Sequence, residues 1–212
     1  MARAVERRGQ YDRTQTQGER QAARREQILD AATEVFAART YVATRVDDIV
    51  AYAKISRRTL YEDFDSVDAI MDAVYERAVR TSFQTVFERL AGVSDPVERI
   101  HVGVRAYFET IASNPSAARV VFEEYRYAGP TQAARYELNT TRYALLMLEF
   151  LNAVYAAGRL ARAPDETTVY ALTKGCEAVG VRAIHRGEHA QLPDVAPVMA
   201  RLLLEAFGGE KP

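Results

Sequence analysis

Apolar side chains recur every three or four positions along this chain, and nowhere do they alternate with polar ones at the period of two that a half-buried strand requires. A sequence with that spacing buries its apolar surface by packing helices on helices. Glycine and proline divide the pattern. Gly92, Asn114-Pro115, Gly129-Pro130, Gly158 and Gly187 stand where helical runs must stop, and Pro96 stands where one can start. Long helices are expected over residues 24–39, 67–90, 131–157, 165–186 and 194–207, with another from Pro96 to the Asn114-Pro115 break. Shorter ones are expected near residues 44–53 and after Ser56, with a short segment over 115–128. The fold class is therefore all-α, with about nine helices.

Composition closes off other classes. At 212 residues and 48% hydrophobic content the chain can bury a full core. Its most apolar stretches, residues 144–151 and 202–207, are short and carry Glu149 and Glu205, so no membrane span is expected. The N-terminal arginines have no apolar segment behind them and do not read as a secretory signal, which points to the cytoplasm. One cysteine, Cys176, excludes an intramolecular disulfide framework and, having no histidine partner in sequence, reads as packed rather than nucleophilic. His185 and His189 are four apart, but Gly187 separates them and no further ligand cluster accompanies them. There is no glycine-rich phosphate loop, so neither a cofactor nor catalysis is expected. Asn139-Thr140-Thr141 fits a glycosylation sequon, a chance match without secretion.

The chemistry is concentrated in residues 44–64. Ser56 can cap a helix whose first turn is Arg57-Arg58-Thr59, and Thr44, through its hydroxyl and the Asp47 side chain, is expected to cap the helix before it. Two short helices separated by three or four residues make a helix-turn-helix, in which the second enters the DNA major groove. Arginine suits that position because its planar fork grips guanine or phosphate, and threonine can hydrogen-bond or touch a thymine methyl. Leu60 and Phe64 are spaced to pin this helix on Phe36, Ile49 and Ile55. The bland alternative is that Arg57 and Arg58 form only a solvated face. Residues 1–64 hold 12 Lys/Arg against 10 Asp/Glu, and the rest 16 against 19, a mild basicity at one end that permits a nucleic-acid partner. Residues 1–22 carry almost no apolar side chains and read as a mobile arm, whose Arg3, Arg7, Arg8 and Arg13 either track a minor groove or stay idle in solvent.

The run from Arg25 to Val74, with its "ILDAA..F", "T...I" and "S..TLY..F" landmarks, resembles the DNA-binding domain of the TetR family of transcriptional regulators. The resemblance covers about fifty residues. It implies a three-helix DNA-binding domain over residues 23–66, after the arm, and a larger helical ligand-binding and dimerisation domain over 67–212. It also implies double-stranded operator DNA, a homodimer and a small-molecule effector as partners. Thr44 and Tyr61 would then contact phosphates, Arg57, Arg58 and Thr59 would lie at the groove, and Lys54 would add a phosphate contact. Thr40 and Lys54 stand where the family usually has glycine, and Val67 where a phosphate-binding lysine is common. Glu62 and Asp63 add unfavourable charge near DNA.

The remaining expectations concern the larger domain. Seven of the twelve tyrosines fall between Tyr107 and Tyr170, and Tyr136, Tyr143, Met147 and Phe150 share a helix face. Such a stripe is either ordinary core or, as the resemblance implies, the wall of a pocket, with Phe87, Tyr107, Phe122, Tyr125, Tyr143, Met147 and Glu177 as its lining. Lys174 and Glu177 are either polar handles there or an exposed ion pair. Ala171, Gly175, Ala178, Gly180 and Ala183, with Val198, Leu202, Leu203 and Ala206, supply either a dimer interface or close packing within the chain. The function that follows is a homodimeric repressor released by a small, mostly apolar ligand; the alternatives are a DNA-binding regulator or architectural protein without a switch, and a helical binding module.

Overall fold

The computed structural model describes residues 16–209. All regular structure among them is helical. The order is α1 (Gln17–Arg39), α2 (Val46–Ala53), α3 (Arg57–Tyr61), α4 (Val67–Leu90), α5 (Pro96–Ser113), α6 (Pro115–Arg119), a π-helical turn (Val120–Tyr125), α7 (Pro130–Ala156), α8 (Glu166–Arg186), a 3-10 turn (His189–Gln191) and α9 (Leu192–Glu205). Local chemistry sets most of these limits. Ser66, Asp95, Asn114 and Asp165 each accept a backbone N–H of the first turn that follows, Pro96 and Pro115 open their helices, and Gly187 closes α8 at φ 68°.

Two expected limits are wrong. Residues 17–22 do not belong to an arm: α1 begins at Gln17, behind a capping box in which Thr16 accepts from the Glu19 amide and the Glu19 carboxylate accepts from the Thr16 amide. Polar sequence hides this turn because it is held by hydrogen bonds and ion pairs rather than burial. Residues 1–15, with Arg3, Arg7, Arg8 and Arg13, lie outside the described residues. The cap of α2 is also displaced by one position. Arg45 is the N-cap and donates its amide to the Asp48 carboxylate at 2.9 Å, while the Thr44 hydroxyl donates backwards to the Thr40 carbonyl at 2.7 Å.

Two apolar cores form. The first holds Ile28, Ala32, Phe36, Ile49 and Leu60 from the first three helices and Phe64 from the loop after α3, together with Ile70, Met71, Val74 and Tyr75 of α4, Val120, Val121 and Tyr125 of the π turn, and Tyr136 of α7. The second joins α5, α7, α8 and α9, and takes Val86 and Leu90 from the far end of α4. Thus α4 is a member of both. Burying a large aliphatic or aromatic side chain contributes about 1.5–3 kcal/mol, so α4 is anchored firmly at each end.

Of the small residues of α8, Gly175, Gly180 and Ala183 pack within the chain. A Cβ on Gly180 would stand 2.9 Å from Ile111 Cδ1, and one on Gly175 would stand 3.9 Å from Met199 Cε. Leu203 is buried, whereas Val198 and Leu202 are exposed on α9, as are Ala171 and Ala178 on α8.

Candidate DNA-reading head and ligand cavity

The helix-turn-helix is assembled by its caps and by one buried apolar face. Ser56 accepts from the Thr59 amide at 3.0 Å and its hydroxyl lies 2.7 Å from that of Thr59. Leu60 and Phe64 are buried, which turns the opposite face of α3 outward. On that face Arg58 is 91% exposed along its side chain, with only a 3.8 Å i,i+4 pairing to Glu62, and Tyr61 is exposed. Arg57 is exposed but engaged: its guanidinium donates twice to the Asp47 carboxylate at the start of α2. That hydrogen bonding holds Asp47 below its usual carboxylate range and raises Arg57. Lys54 is exposed in a left-handed turn at φ 54°, ψ 42°, where its amide closes α2 onto the Val50 and Ala51 carbonyls. Thr44 is buried, with its hydroxyl already donated to Thr40, and Thr59 is half-buried.

The acidic pair after α3 does not face outward unopposed. The Asp63 side chain is 1% exposed and accepts from Arg24 Nε at 2.5 Å, from Arg24 Nη2 at 3.2 Å and from Gln21 at 3.2 Å; Glu62 accepts from Arg24 Nη1 at 3.0 Å. The Arg24 hydrogen bond holds the Asp63 carboxyl below its usual value against the opposing effect of burial. So Arg24, at the start of the helix expected from sequence, neutralises the charge that composition places beside DNA, and Gln21, in the stretch composition assigns to an arm, adds a hydrogen bond.

The stripe on α7 lines a cavity. A partly open cavity of about 360 Å³ is lined by α4, α5, α6, the π turn, α7 and α8, with α1 and α9 each adding to the wall. That is within the range of about 300–1,000 Å³ usual for small-molecule pockets. Tyr107, Phe122, Tyr143, Met147 and Glu177 are in the wall, together with Tyr136 and Phe150. Tyr143 stacks on Phe83 of α4 at 4.1 Å between centroids, and meets Tyr107 edge-on at 5.6 Å. Burial raises the Tyr107, Tyr136 and Tyr143 hydroxyls well above their ordinary pKa, so all three are neutral donors. Phe87 and Tyr125 are not in the wall. Phe87 is exposed, and Tyr125 is spent elsewhere, stacked on Tyr75 at 3.7 Å with its hydroxyl donated to Asp72 at 2.8 Å.

Glu177 is a buried handle rather than half of an exposed pair. It accepts from the Tyr136 hydroxyl and, at 2.9 Å, from Lys174, and Arg126 lies 4.0 Å away. Elsewhere in the wall, Arg77 of α4 donates to Glu26 at 2.9 Å, Asp30 at 2.7 Å and Thr33 at 3.2 Å, all on α1. Sequence reasoning overlooks Arg77 and Asn139 as wall residues. For Asn139 a signal exists: it sits three residues after Tyr136 and four before Tyr143, on the same helical face.

Residues 28–74 match the family described as bacterial regulatory proteins, tetR family, and residues 93–181 match the tetracyclin repressor-like C-terminal domain. The chain belongs to the TetR family of transcriptional regulators. Over 117 residues it is 33% identical to the HTH-type transcriptional activator FasR of Mycolicibacterium smegmatis, covering 55% of this chain and 53% of that protein. It therefore spans about half the length of that relative. The fatty acid degradation regulator FadR of Bacillus halodurans superposes with a TM-score of 0.77 at 18% identity, over 88% of this chain and 97% of that one. FadR of Bacillus subtilis, solved in complex with stearoyl-CoA, superposes with a TM-score of 0.73 at 18% identity, over 84% and 97%. These two likenesses establish the all-helical TetR fold. Among the described residues no helix is long and apolar enough to cross a membrane.

Proposed function

We propose that this TetR-family chain is a homodimeric repressor that holds a palindromic operator through α3 and lets go when a small, mostly apolar ligand enters the cavity. Arg58 and Tyr61 are free to meet DNA at once, whereas Arg57 must exchange Asp47 for a phosphate or a base. Thr44 and Lys54 flank α2 and would contact phosphate through the backbone and the ammonium group. Two α3 helices must be held about 34 Å apart to read successive half-sites, and exposed Val198 and Leu202, with Ala171 and Ala178, offer the face for dimerisation.

One observation carries the switch. Arg77 is both part of the cavity wall and the residue that grips Glu26, Asp30 and Thr33 of α1. A ligand that shifts α4 therefore moves α1, and α1 holds the end of α3 through Arg24 and Asp63. The ligand alters DNA affinity only through its preference for one arrangement, and a coupling of about 1–3 kcal/mol would change that affinity some 5- to 150-fold. Bacillus subtilis FadR was solved with stearoyl-CoA, a molecule whose acyl chain is apolar and whose CoA portion is charged, and the apolar wall here would suit a ligand with an apolar part of that kind. The test is to recover duplexes from a random pool with the full chain, measure stoichiometry, and add apolar compounds that raise its melting temperature. Two chains per duplex and release by a stabilising compound are expected; binding as single chains, or stabilisers that leave DNA bound, would refute the proposal.

A further inference from the structure

Most hydroxyls in the cavity wall already donate within the protein. Thr110, Thr140 and Thr173 each donate to the carbonyl four residues earlier, at 2.9, 3.3 and 2.9 Å, and Tyr136 donates to Glu177. Ser82 lies within hydrogen-bonding reach of the Tyr143 hydroxyl. Tyr107 of α5 is different: among the described residues its hydroxyl has no hydrogen-bond partner. A buried tyrosine hydroxyl usually finds one.

The surroundings of that hydroxyl show where it points. The Tyr107 ring meets Tyr143 edge-on at 5.6 Å, and the groups that act electrostatically on its oxygen are Tyr143, Cys176, Glu177 and Tyr136. All four line the cavity, so this phenol reaches in among wall groups of α7 and α8. Burial pushes it well above its ordinary pKa, yet the residue is only half-buried, and a group set so deep keeps its remaining surface on the cavity side. The oxygen is also open. Among the described residues the unpartnered polar side-chain atoms sealed from solvent are Arg119 Nε and Asn139 Oδ1, and the Tyr107 oxygen is not one of them.

An apolar ligand filling the cavity would strip this hydroxyl of water and leave a donor unpaired, whereas a ligand with an acceptor at that point would not. Glu177 cannot serve instead without sharing, because it already accepts from Tyr136 and Lys174. Its charge also decides what kind of acceptor fits. Lys174 and Arg126 balance Glu177 from outside the wall, and Arg77, the cation in the wall, is matched by Glu26 and Asp30. A ligand carboxylate beside Tyr107 would therefore meet the Glu177 carboxylate with no cation left to oppose it. An uncharged carbonyl oxygen avoids that repulsion.

We infer that the cavity receives a mostly apolar molecule carrying an uncharged carbonyl group, and that Tyr107 selects it by donating its phenol hydrogen to the carbonyl oxygen. The inference rests on the cavity being the effector site. Butyrophenone, butylbenzene and 4-phenylbutanoate offer a carbonyl, no acceptor and a carboxylate on similar skeletons. Each is titrated into the full chain and into Tyr107→Phe by calorimetry at neutral pH. Loss of the phenol oxygen should weaken butyrophenone about tenfold and leave butylbenzene as tight or tighter, because the unpaired donor is gone. 4-Phenylbutanoate should bind the unaltered chain more weakly than butyrophenone does. Without ligand the variant should melt no lower than the parent, since the oxygen it loses bonds to no other group. In the unaltered chain the carbonyl stretch of bound butyrophenone should fall below its position in hexane, a readout that stands even if the variant fails to fold. An equal change for butyrophenone and butylbenzene in Tyr107→Phe, an unshifted stretch, or tightest binding of 4-phenylbutanoate would overturn the role of Tyr107 and leave the cavity intact as a site. Failure of all three probes to bind would overturn the effector reading itself.

Discussion

Thr40 has a backbone that its side chain opposes. It ends α1 at φ 73°, ψ 153°, a region occupied almost entirely by glycine, and a β-branched residue there is a strong outlier. Such strain costs about 1–3 kcal/mol. Thr40→Gly would remove it and lose little else: the side chain is exposed, the amide still donates to the Phe36 carbonyl at 3.0 Å, and the carbonyl still accepts from Thr44. Against the gain stands the extra freedom of glycine in the unfolded chain, roughly 0.5–1 kcal/mol. The net expectation is stabilisation by about 1 kcal/mol, or roughly 2–4 °C in melting temperature for a chain of this size. Lys54→Gly is the control. At φ 54°, ψ 42° Lys54 occupies the ordinary left-handed well, where the cost is smaller, so relief and entropy should nearly cancel. Urea unfolding at one fixed protein concentration would read both, with unchanged m-values. A lower midpoint for Thr40→Gly, or a larger gain from Lys54→Gly, would refute the reasoning.

Asp47→Asn should free Arg57 and strengthen DNA binding, steepening the log–log salt dependence by up to about 0.9 if the released guanidinium finds a phosphate; anisotropy titrations at several salt concentrations would show it. Asp63 is held below its usual pKa by Arg24, so its stabilisation is present above about pH 4 and fades as pH falls through the lowered value. Arg24→Met should lower the urea midpoint at pH 7 and flatten its decline between pH 5 and 3. Val198→Glu with Leu202→Glu should give folded monomers by sedimentation, whereas Gly180→Arg should unfold the chain, because Gly180 is buried against Ile111 and an arginine there would put a long charged side chain into the core.

The long helices were legible because each is bounded by residues whose backbone chemistry is local: Pro96, Asn114, Asp165 and Gly187 act on their own turn and need no tertiary partner. The first turns of α1 were missed although the Thr16–Glu19 capping box that opens them is local; composition outweighed that signal, and the contact that also fastens them, Arg24 on Asp63, spans thirty-nine residues. The same separation hides the fate of the acidic pair, which reads as repulsive in sequence and is neutralised in space. In the cavity, helical spacing was enough to align Tyr136, Tyr143, Met147 and Phe150. It could not say that Tyr125 turns away to Tyr75 and Asp72, or that Phe83 rather than Phe87 reaches Tyr143, because those choices are made between helices. Gly180 shows the limit most plainly: a small residue signals close approach, but not whose helix approaches.

Under the proposed function, α3 is the element that reads sequence. The direct measurement is the affinity of the full chain for a duplex recovered from a random pool, relative to a scrambled duplex of the same composition, at one stated salt concentration. The unaltered chain should prefer the recovered duplex by about 10³-fold or more, and Arg57→Ala with Arg58→Ala should bring the two affinities close together while leaving the chain folded, with only the small loss of stability expected from breaking the Arg57–Asp47 pair. Equal affinities for the two duplexes in the unaltered chain, or an undiminished preference in the double variant, would contradict the account.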